Sequence, residues 1–256
     1  MEIVRNIKLT LAYDGTNFCG FELQPHKRSI RGEIEKALFK VFRTHPKIIN
    51  ASRTDAGVHA LSQVINFKLK SSIPTSKIAK ALNSCLPEEI RVIKAQEQAQ
   101  GFHARYSPKT KQYEYLIFNG QNLPPFYRKL VWQVKPKLDL AAMRKAAKIL
   151  QGKHDFSSFC ASGSDDKNFV RTMHKISIRK RNINIWDSCQ LSTVGCKFEG
   201  NGFLYKMVRN MVGTLVEVGL GKRKPRDVKQ ILYAKDRKKA GRTAPAQGLC
   251  LINVNY

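Results

Sequence analysis

The sequence predicts an α+β protein whose strands form a mixed or antiparallel sheet. Several segments alternate apolar and polar residues with a period of two, which is typical of half-buried strands. Other segments repeat apolar residues every three or four positions, which is typical of amphipathic helices. The two patterns follow one another irregularly along all 256 residues, as expected where helices pack on one face of a sheet.

The first half contains three predicted strands and two predicted helices. Ile7, Leu9, Leu11 and Tyr13 alternate as a first strand, and residues 14–17 form the turn that ends it. The remaining elements are a helix over 34–42, a strand over 65–69, a short helix over 78–86 with Thr75 as its N-cap, and a strand over 92–98.

The second half contains four predicted strands and three predicted helices. Tyr113, Tyr115 and Ile117 alternate as a strand, and Asp139 caps a helix that ends before Gly152. The remaining elements are two long strands over 169–181 and 183–198, a helix over 204–215, a helix beginning near Pro225 and a last strand over 249–254.

The chain is strongly basic along its whole length. It holds 46 Lys and Arg against 19 Asp and Glu, a formal net charge of +27. Residues 1–130 hold 21 basic and 10 acidic residues and residues 131–256 hold 25 and 9, so the charge belongs to the folded surface and not to a tail. Because binding to nucleic acid releases condensed counterions, this surface predicts a nucleic-acid partner. A membrane surface, or a basic enzyme that is merely soluble, is the alternative.

Targeting and cofactor signals are absent from the sequence. The N-terminus does not resemble a secretory signal, and no run approaches the ~18 apolar residues of a spanning helix. The six cysteines are scattered without a C-x-x-C pair, so we expect reduced thiols in a cytoplasmic protein. Zinc spacing, a P-loop and a dinucleotide-binding motif are all missing, and we therefore expect no metal, no cofactor and no membrane association.

Residues 51–60, Ala-Ser-Arg-Thr-Asp-Ala-Gly-Val-His-Ala, form the most informative segment. Asp55 on such a small, polar turn, two residues after Arg53, could act as a nucleophile or a base. The alternative is a turn in which Asp55 only accepts hydrogen bonds from nearby backbone N–H groups. The segment holds no second acid, as a glycosidase usually requires, and the acids are not clustered as in a two-metal nuclease.

Basic and aromatic residues occur together in two further segments. They are residues 102–115, with Arg105, Lys109, Lys111 and Tyr113, and residues 203–209, with Phe203, Tyr205, Lys206 and Arg209. Aromatic rings stack on unpaired bases while cations hold phosphates. Alternatively, the basic residues, like the basic runs at 222–226 and 237–242, form solvated faces, and Tyr115, Phe203 and Tyr205 belong to the core.

Seven short blocks of this chain occur in the order and composition of a known family. They are Tyr-Asp-Gly-Thr-x-Phe-x-Gly-Phe at 13–21, Arg-Thr-Asp-Ala-Gly-Val-His-Ala at 53–60, Phe-His-Ala-Arg at 102–105, Tyr-x-Tyr at 113–115, His-Asp-Phe at 154–156, Phe-x-x-x-Met-Val-Arg-Asn at 203–210 and Ala-Pro-Ala-x-Gly-Leu at 244–249. Together they cover nearly the whole chain and resemble the TruA family of tRNA pseudouridine synthases. The chain departs from the family at Phe21 and Glu22, where the family usually has Trp and Gln.

The resemblance implies a fold, a reaction and partners. The reaction is isomerisation of uridine to pseudouridine at positions 38, 39 and 40 in the anticodon arm of tRNA, with the base flipped out of its stack and without cofactor or metal. The partners are the tRNA and a second copy of the chain in a homodimer. The implied fold has two similar α+β halves that share an extended sheet flanked by helices, with a basic cleft between them. Residues 1–105 carry the Asp loop, and residues 106–256 carry the cleft Tyr and Arg.

The resemblance also implies roles for individual residues. Asp55 is the implied nucleophile, which attacks either the ribose carbon or the uracil ring, and Arg209 pairs with it. Tyr113 stacks on the target base and is a candidate to take the C5 proton. The implied RNA contacts are Arg53, which is a candidate to fill the space of the flipped base, His59, which either contacts RNA or braces the loop, Arg105, Lys109 and Lys111.

Two other functions remain open at this point. A non-catalytic RNA-binding or ribosome-assembly protein of the same fold would keep the basic surface and would not need Asp55. A nuclease or glycosidase acting on nucleic acid would need more clustered acids or a metal ion.

Overall fold

The computed structural model describes residues 4–164, 166–186 and 189–256. The strands in this part of the chain are β1 (Val4–Tyr13), β2 (Ile49–Asn50), β3 (His59–Lys70), β4 (Ile90–Gln98), β5 (Thr110–Phe118), β6 (Trp132–Gln133), β7 (Gly152–Asp155), β8 (Val170–Trp186), β9 (Cys189–Gly200) and β10 (Leu249–Asn255). The α-helices are α1 (Ile30–Phe42), α2 (Thr75–Asn83), α3 (Leu140–Ile149), α4 (Met207–Gly219) and α5 (Asp227–Ala234). Every predicted helix and strand has a counterpart, and the predicted α+β class is confirmed.

The chain forms two compact units. Unit 1 comprises the residues up to Lys109 together with Cys250–Tyr256, and unit 2 comprises Thr110–Leu249. The predicted domain boundary between residues 105 and 106 stays a prediction. Both units combine strands with helices, as the irregular alternation of apolar patterns indicates.

Unit 1 is organised around β1 and β3. These strands pair antiparallel with Ile7 opposite Phe67, β4 pairs antiparallel on the other edge of β1, and β10 pairs parallel with β3. Ile7, Leu9 and Leu11 alternate along β1 and are fully buried. Helix α1 begins after Ser29, whose Oγ accepts a hydrogen bond from Gly32 N at 3.1 Å, a typical N-cap.

Unit 2 has antiparallel strands in the order β5, β9, β8 and β7, with short β6 parallel to β5. Asp139 caps α3 as predicted, because its carboxylate accepts hydrogen bonds from the backbone N–H groups of residues 141 and 142. Helix α4 is buried on nearly every side, and α3 packs against it. Each fully buried aliphatic side chain such as Leu215 contributes about 1.5–3 kcal/mol to stability, which makes α4 the centre of the unit 2 core.

Three predicted boundaries of helices α2 and α4 are wrong. Thr75 is the first helical residue of α2, and Pro74 takes the cap position without a side-chain hydrogen bond, since its ring already fixes the entry angle. The same helix stops at Asn83 instead of reaching residue 86, because the Asn83 amide bonds both the N–H and the C=O of Val92. Helix α4 begins at Met207, after Lys206 in the left-handed conformation, and not at residue 204.

The predicted break between two long strands near Asn182 is also wrong. Strand β8 continues to Trp186, with Asn182 opposite Ser192 and Ile183 opposite Leu191. The pairing continues because Ile183 packs on a small cluster that includes Tyr127, whose hydroxyl donates to the Ile183 carbonyl at 3.3 Å. Residues 187 and 188, which follow β8, lie outside the described part of the chain.

Gly213→Ala should destabilise the protein although alanine is the better helix former. The gain in helix propensity is about 1 kcal/mol, whereas the added Cβ would lie 1.7 Å from the backbone carbonyl oxygen of Arg242. Overpacking costs roughly 1–3 kcal/mol of stability and occasionally more. Because this contact is very short and its partner is backbone, we expect a cost at the upper end of that range. We expect a lower midpoint of unfolding in urea.

Gly101→Ala is the matched control for that measurement, because a Cβ at this position meets no atom within 4 Å. Equal unfolding midpoints for the two variants would contradict the packing argument.

Candidate functional site

The segment that carries Asp55 connects β2 to β3 and is fixed first by a buried amide. The Gln63 side chain, which is fully buried in β3, donates from Nε2 to the carbonyl of Ser52 at 2.6 Å and accepts from Ser52 N at 3.3 Å. Backbone N–H of Ala51 donates to Val64 O at 2.8 Å. The Gln63 amide thereby bonds Ser52 in the way that a neighbouring strand would, and it holds the start of the loop against the sheet.

A second segment, residues 14–21, packs against the other side of the loop, and we call it the flanking segment. Backbone N–H of Phe21 donates to Thr54 O at 3.0 Å, and Gly20 forms an isolated antiparallel bridge with Asp55. The Thr54 hydroxyl lies 2.8 Å from the hydroxyl of Tyr13, and both side chains are buried. The backbone on either side of the Asp55 carboxylate is therefore held by hydrogen bonds.

Two glycines make this close approach of backbones feasible. A Cβ on Gly15 would lie 2.0 Å from the carbonyl oxygen of Val58, and one on Gly20 would lie 2.7 Å from Thr54 O. Gly20 also has a φ of +115°, which side-chain-bearing residues rarely adopt. Gly57, with a φ of +76°, turns the chain after Asp55 so that Val58 N donates back to Asp55 O at 3.1 Å.

Residues 14–21 are themselves anchored by an ion pair. The two guanidinium nitrogens of Arg28 donate to the two carboxylate oxygens of Glu89 at 2.9 and 3.3 Å, and this interaction lowers the pKa of Glu89 to about 2. Backbone N–H of Asp14 donates to Glu89 O, and Cys19 N donates to Arg28 O. The backbones of the two paired residues are thus bonded to both ends of the flanking segment.

His59 is the first residue of β3 and is buried under the Asp14–Gly15 turn. Its Nδ1 lies 3.2 Å from Gly15 N and 3.1 Å from an Asp14 carboxylate oxygen. One nitrogen cannot serve both at once: neutral Nδ1 accepts from Gly15 N–H, whereas protonated Nδ1 donates to Asp14. In either state the His59 side chain connects the Asp55 loop to the flanking segment.

Arg53 and the unusual Glu22 meet beside the loop. Arg53 Nε lies 3.4 Å from a Glu22 carboxylate oxygen, and Glu22 also accepts from Arg31 at 3.1 Å. Phe21, the other departure from the family pattern, is fully buried, with its ring tilted against that of Tyr13. Phe21, which stands where the family usually has Trp, is thus accommodated in the core. Glu22, which stands where the family usually has Gln, forms an ion pair with Arg53, whose side chain is 56% exposed.

In unit 2, Tyr113 projects from β5 on the same face as Tyr115 and Ile117. Its side chain is 6% exposed, and its ring packs edge-on against Phe203, with the ring centroids 4.9 Å apart. Tyr115 is fully buried, as the core interpretation predicts, whereas Tyr205 is 39% exposed, so the core interpretation is wrong for Tyr205. Tyr205 instead carries the ammonium group of Lys206 over its ring at 4.8 Å.

Arg209 lies in the first turn of α4 and is oriented by residues 242–248. Its Nε donates to Ala244 O at 2.8 Å, and its carbonyl accepts from Ala244 N at 3.1 Å. The Tyr115 hydroxyl donates to the next carbonyl, that of Pro245, at 2.7 Å. Burial raises the pKa of Tyr115 against the opposing positive charges of Arg209 and Arg242, so this hydroxyl stays protonated as a donor.

Of the predicted RNA contacts, His59 is buried, whereas the three on residues 105–111 lie at the surface. Arg105 and Lys109 are exposed and Lys111 is partly exposed. The Arg105 guanidinium lies 5.8 Å from the ring of Tyr106, which is 76% exposed. Sequence analysis did not single out Tyr106 alone, although an aromatic residue flanked by basic residues is a recognisable signal.

The structure brings Arg53, Asp55 and His59 together on one loop of unit 1, and it places Tyr113 and Arg209 on β5 and α4 of unit 2. Sequence analysis missed Gln63, which holds the loop. The only sequence signal for Gln63 is that it directly precedes the apolar residues of β3. This signal is weak, because a polar residue at such a position normally faces solvent. Among the described residues no three His, Cys, Asp or Glu side chains cluster as metal ligands, and no helix is long and apolar enough to cross a membrane.

Comparisons with known proteins give a consistent result. Residues 10–107 and 146–256 match the family described as tRNA pseudouridine synthase. A protein named tRNA pseudouridine synthase A from Thermoanaerobacter sp. (strain X514) is 46% identical over 255 residues, covering 99% of this chain and all of the relative. Relatives of the same name from Acetivibrio thermocellus and Brevibacillus brevis are 44% and 43% identical, again over 99% of this chain and all of theirs.

Among solved structures, a Cbf5-Nop10-Gar1 complex matches over 95% of this chain and 57% of that chain. Its sequence identity is 11% and its TM-score 0.34, too low to support an argument. The sequence relatives are much stronger evidence than this structural match, because their similarity spans nearly the whole chain and includes the loop around Asp55. On these grounds the chain belongs to the tRNA pseudouridine synthase family.

Proposed function

We propose that this protein is a tRNA pseudouridine synthase that isomerises uridine to pseudouridine at positions 38, 39 and 40 in the anticodon arm of tRNA. The observation that carries the proposal is the full-length likeness, at 43–46% identity, to relatives named tRNA pseudouridine synthase A. The net charge of +27 suits a polyanionic substrate. The non-catalytic alternative gains no support from these relatives, whose names describe an enzyme.

The reaction needs only groups that a protein can supply. The bond from uracil N1 to ribose C1′ breaks, the base turns, and a bond from C5 to C1′ forms. A proton leaves C5 and N1 gains one, so the product has the same atoms as the substrate. The target base cannot turn inside a helix and must first leave its stack.

We assign the nucleophile to Asp55, which attacks either ribose C1′ or the uracil ring. Its support is the arrangement of the loop: neighbouring backbone groups are bonded to Phe21 and Val58, and the carboxylate is carried at a partly exposed position. A nucleophilic carboxylate must stay ionised, and a nearby cation favours that state. By the family resemblance, that cation is Arg209.

We assign base stacking and removal of the C5 proton to Tyr113. Tyr115, two residues further on, is unsuited to the task because its hydroxyl is buried and donates to Pro245 O. The ring of Tyr113 is supported by Phe203, which would keep it in position for a base to stack on.

Further RNA contacts are proposed for the basic residues Arg53, Arg105, Lys109 and Lys111, with Arg53 filling the space of the flipped base. For His59 we favour the bracing role, because the side chain is buried and its Nδ1 contacts the Asp14–Gly15 turn. We further propose that the enzyme works as a cytoplasmic homodimer without metal or cofactor, as the resemblance implies.

Asp55→Asn should abolish pseudouridine formation and leave the affinity for tRNA within about tenfold of wild type, because phosphate contacts dominate binding. The measurement is carbodiimide mapping of unmodified tRNA incubated with each protein in EDTA, combined with a filter-binding titration. Pseudouridine from wild type alone supports both the reaction and the nucleophile.

Asp139→Asn is the matched control, since Asn serves as well as Asp at a helix N-cap and this variant should stay active. Activity in Asp55→Asn would contradict the nucleophile. An inactive wild type that still binds tRNA tightly would favour a binding protein.

Tyr113→Phe and Tyr115→Phe should fail in different ways. Tyr113→Phe keeps the ring packed on Phe203 and removes a proton acceptor, so kcat should fall by roughly 10²–10⁴-fold. Tyr115→Phe leaves the Pro245 carbonyl without its donor, which should cost about 1–3 kcal/mol of stability. Single-turnover kinetics and urea unfolding of both variants separate the effects. Full activity in Tyr113→Phe would remove the proton-transfer role.

A further inference from the structure

The sheet of unit 2 has an open face on the side opposite Tyr113. Side chains alternate along β5, so Gln112 and Glu114 project away from the face that carries Tyr113 and Tyr115. The register continues this row across the sheet, because Glu114 pairs with Lys197 of β9. We call this side the outer face.

The outer face is concave, and the residues that line the concavity are mostly charged or polar. Lys197 pairs with Ser177 of β8, and Lys175 and Arg179 lie two residues to either side on the same face. Gly195, opposite Arg179, has no side chain, which opens the floor of a concavity of about 460 Å³. A Cβ at Gly195 would lie 3.0 Å from a carboxylate oxygen of Glu114, so a larger residue there would displace that side chain.

The acidic groups on this face are already engaged. Glu114 pairs with Arg181, and Glu199 accepts a hydrogen bond from the Gln112 amide at 3.0 Å. The cations around them are in surplus. In the part of the chain that the structure describes, no ion pair involves Lys175, Arg179, Lys180 or Lys197.

Three of these cations, Lys175, Arg179 and Lys180, lie on β8, along an edge that is only partly paired. Strand β7 pairs with β8 only as far as Met173, and within the described residues no strand pairs with that edge beyond it. A helix arginine covers one position, with Arg144 Nε donating to Ile178 O at 2.9 Å. Edge strands rich in Lys and Arg resist pairing with one another. A symmetric contact with a second copy would bring like charges together, so the charge pattern favours a polyanion.

We propose that the outer face binds the phosphate backbone of the substrate RNA at a place remote from the reacting uridine, an inference that rests on the proposed function. From Lys175 to Arg179 the strand advances about 13 Å, over which a nucleic-acid duplex presents about seven or eight charges. The spread of cations therefore fits an extended backbone better than a single small anion. Since Tyr113 faces the other side of β5, the RNA held here is not the part that holds the target base.

The test compares two RNAs: full-length tRNA and the isolated anticodon stem-loop. The variant carries Lys175→Gln, Arg179→Gln and Lys197→Gln, all on the outer face and none placed in the catalytic machinery. For full-length tRNA we expect affinity at low salt to fall about tenfold or more, and the slope of log K against log salt to become shallower by about two to three. For the stem-loop we expect kcat/KM within twofold of wild type.

Two further variants sharpen the test. A control with Lys40→Gln, Lys77→Gln and Lys80→Gln removes three exposed cations from α1 and α2 of unit 1 and should leave the affinity for both RNAs close to wild type. Glu199→Gln removes a negative charge from the outer face and should tighten binding of full-length tRNA about two- to fivefold. Opposite effects of the two outer-face variants cannot come from misfolding.

Three results would overturn the inference. These are an unchanged affinity for full-length tRNA, an equal loss for both RNAs, and a change of oligomeric state by light scattering with RNA affinity retained, which would make the face an interface between copies. Failure of the proposed function is a separate result: wild-type protein would form no pseudouridine in either RNA, whatever its affinity.

Discussion

The close approach of one backbone to another, at positions where a side chain cannot fit, is the constraint on which the candidate residues of each unit depend. In unit 1 it joins the Asp55 loop to residues 14–21, and it requires Gly15 and Gly20. In unit 2 it seats the segment around Arg242 on α4, and it requires Gly213. In each case the glycine is needed because it has no side chain. It permits backbone hydrogen bonds, such as Phe21 N to Thr54 O and Ala244 N to Arg209 O, that orient a residue of proposed function.

This construction suits a group that must hold its position while a substrate is remodelled. Backbone hydrogen bonds and the buried amide of Gln63 fix the loop that carries Asp55. In unit 2 the buried hydroxyl of Tyr115 ties β5 to the same segment that orients Arg209, and its raised pKa keeps it a donor. Both tyrosines on this strand face are buried, but their partners differ: the Tyr115 hydroxyl donates to Pro245 O, whereas the Tyr113 ring packs edge-on against Phe203. Functional groups held on such a rigid frame lose little entropy when the substrate binds.

The sequence predicts the elements of this frame better than their junctions. Periodicity located β1, β3, α3 and β10, since burial of one face is a local property of the pattern. It failed where a distant partner decides: α2 stops at Asn83 because of Val92, and β8 runs past Asn182 because β9 stays in register. The motif around Asp55 was recognisable from composition. Its bonding to Gln63 and Gly20 was not, because the pairing of residues far apart in the chain leaves no periodic signal. The ion pair of Glu22 with Arg53 is likewise visible only once the loop and residues 14–22 are folded together.

The positions of the acidic residues help to explain the net charge of +27. Asp139 caps α3, Asp236 caps a turn of 3₁₀ helix, Glu89 anchors residues 14–21 through Arg28, and Glu217 bonds both Arg223 and the backbone of Arg242. These four acids therefore serve the fold, each against a particular partner. Within the described residues, cations such as Lys175, Arg179 and Lys197 form no ion pair. They are retained despite mutual repulsion, which a folded protein tolerates when a polyanion relieves it. It follows that stability and RNA affinity reside in largely separate sets of residues. Surplus cations can be removed with little effect on folding, whereas loss of Glu89 or Glu217 disturbs the segments that they hold.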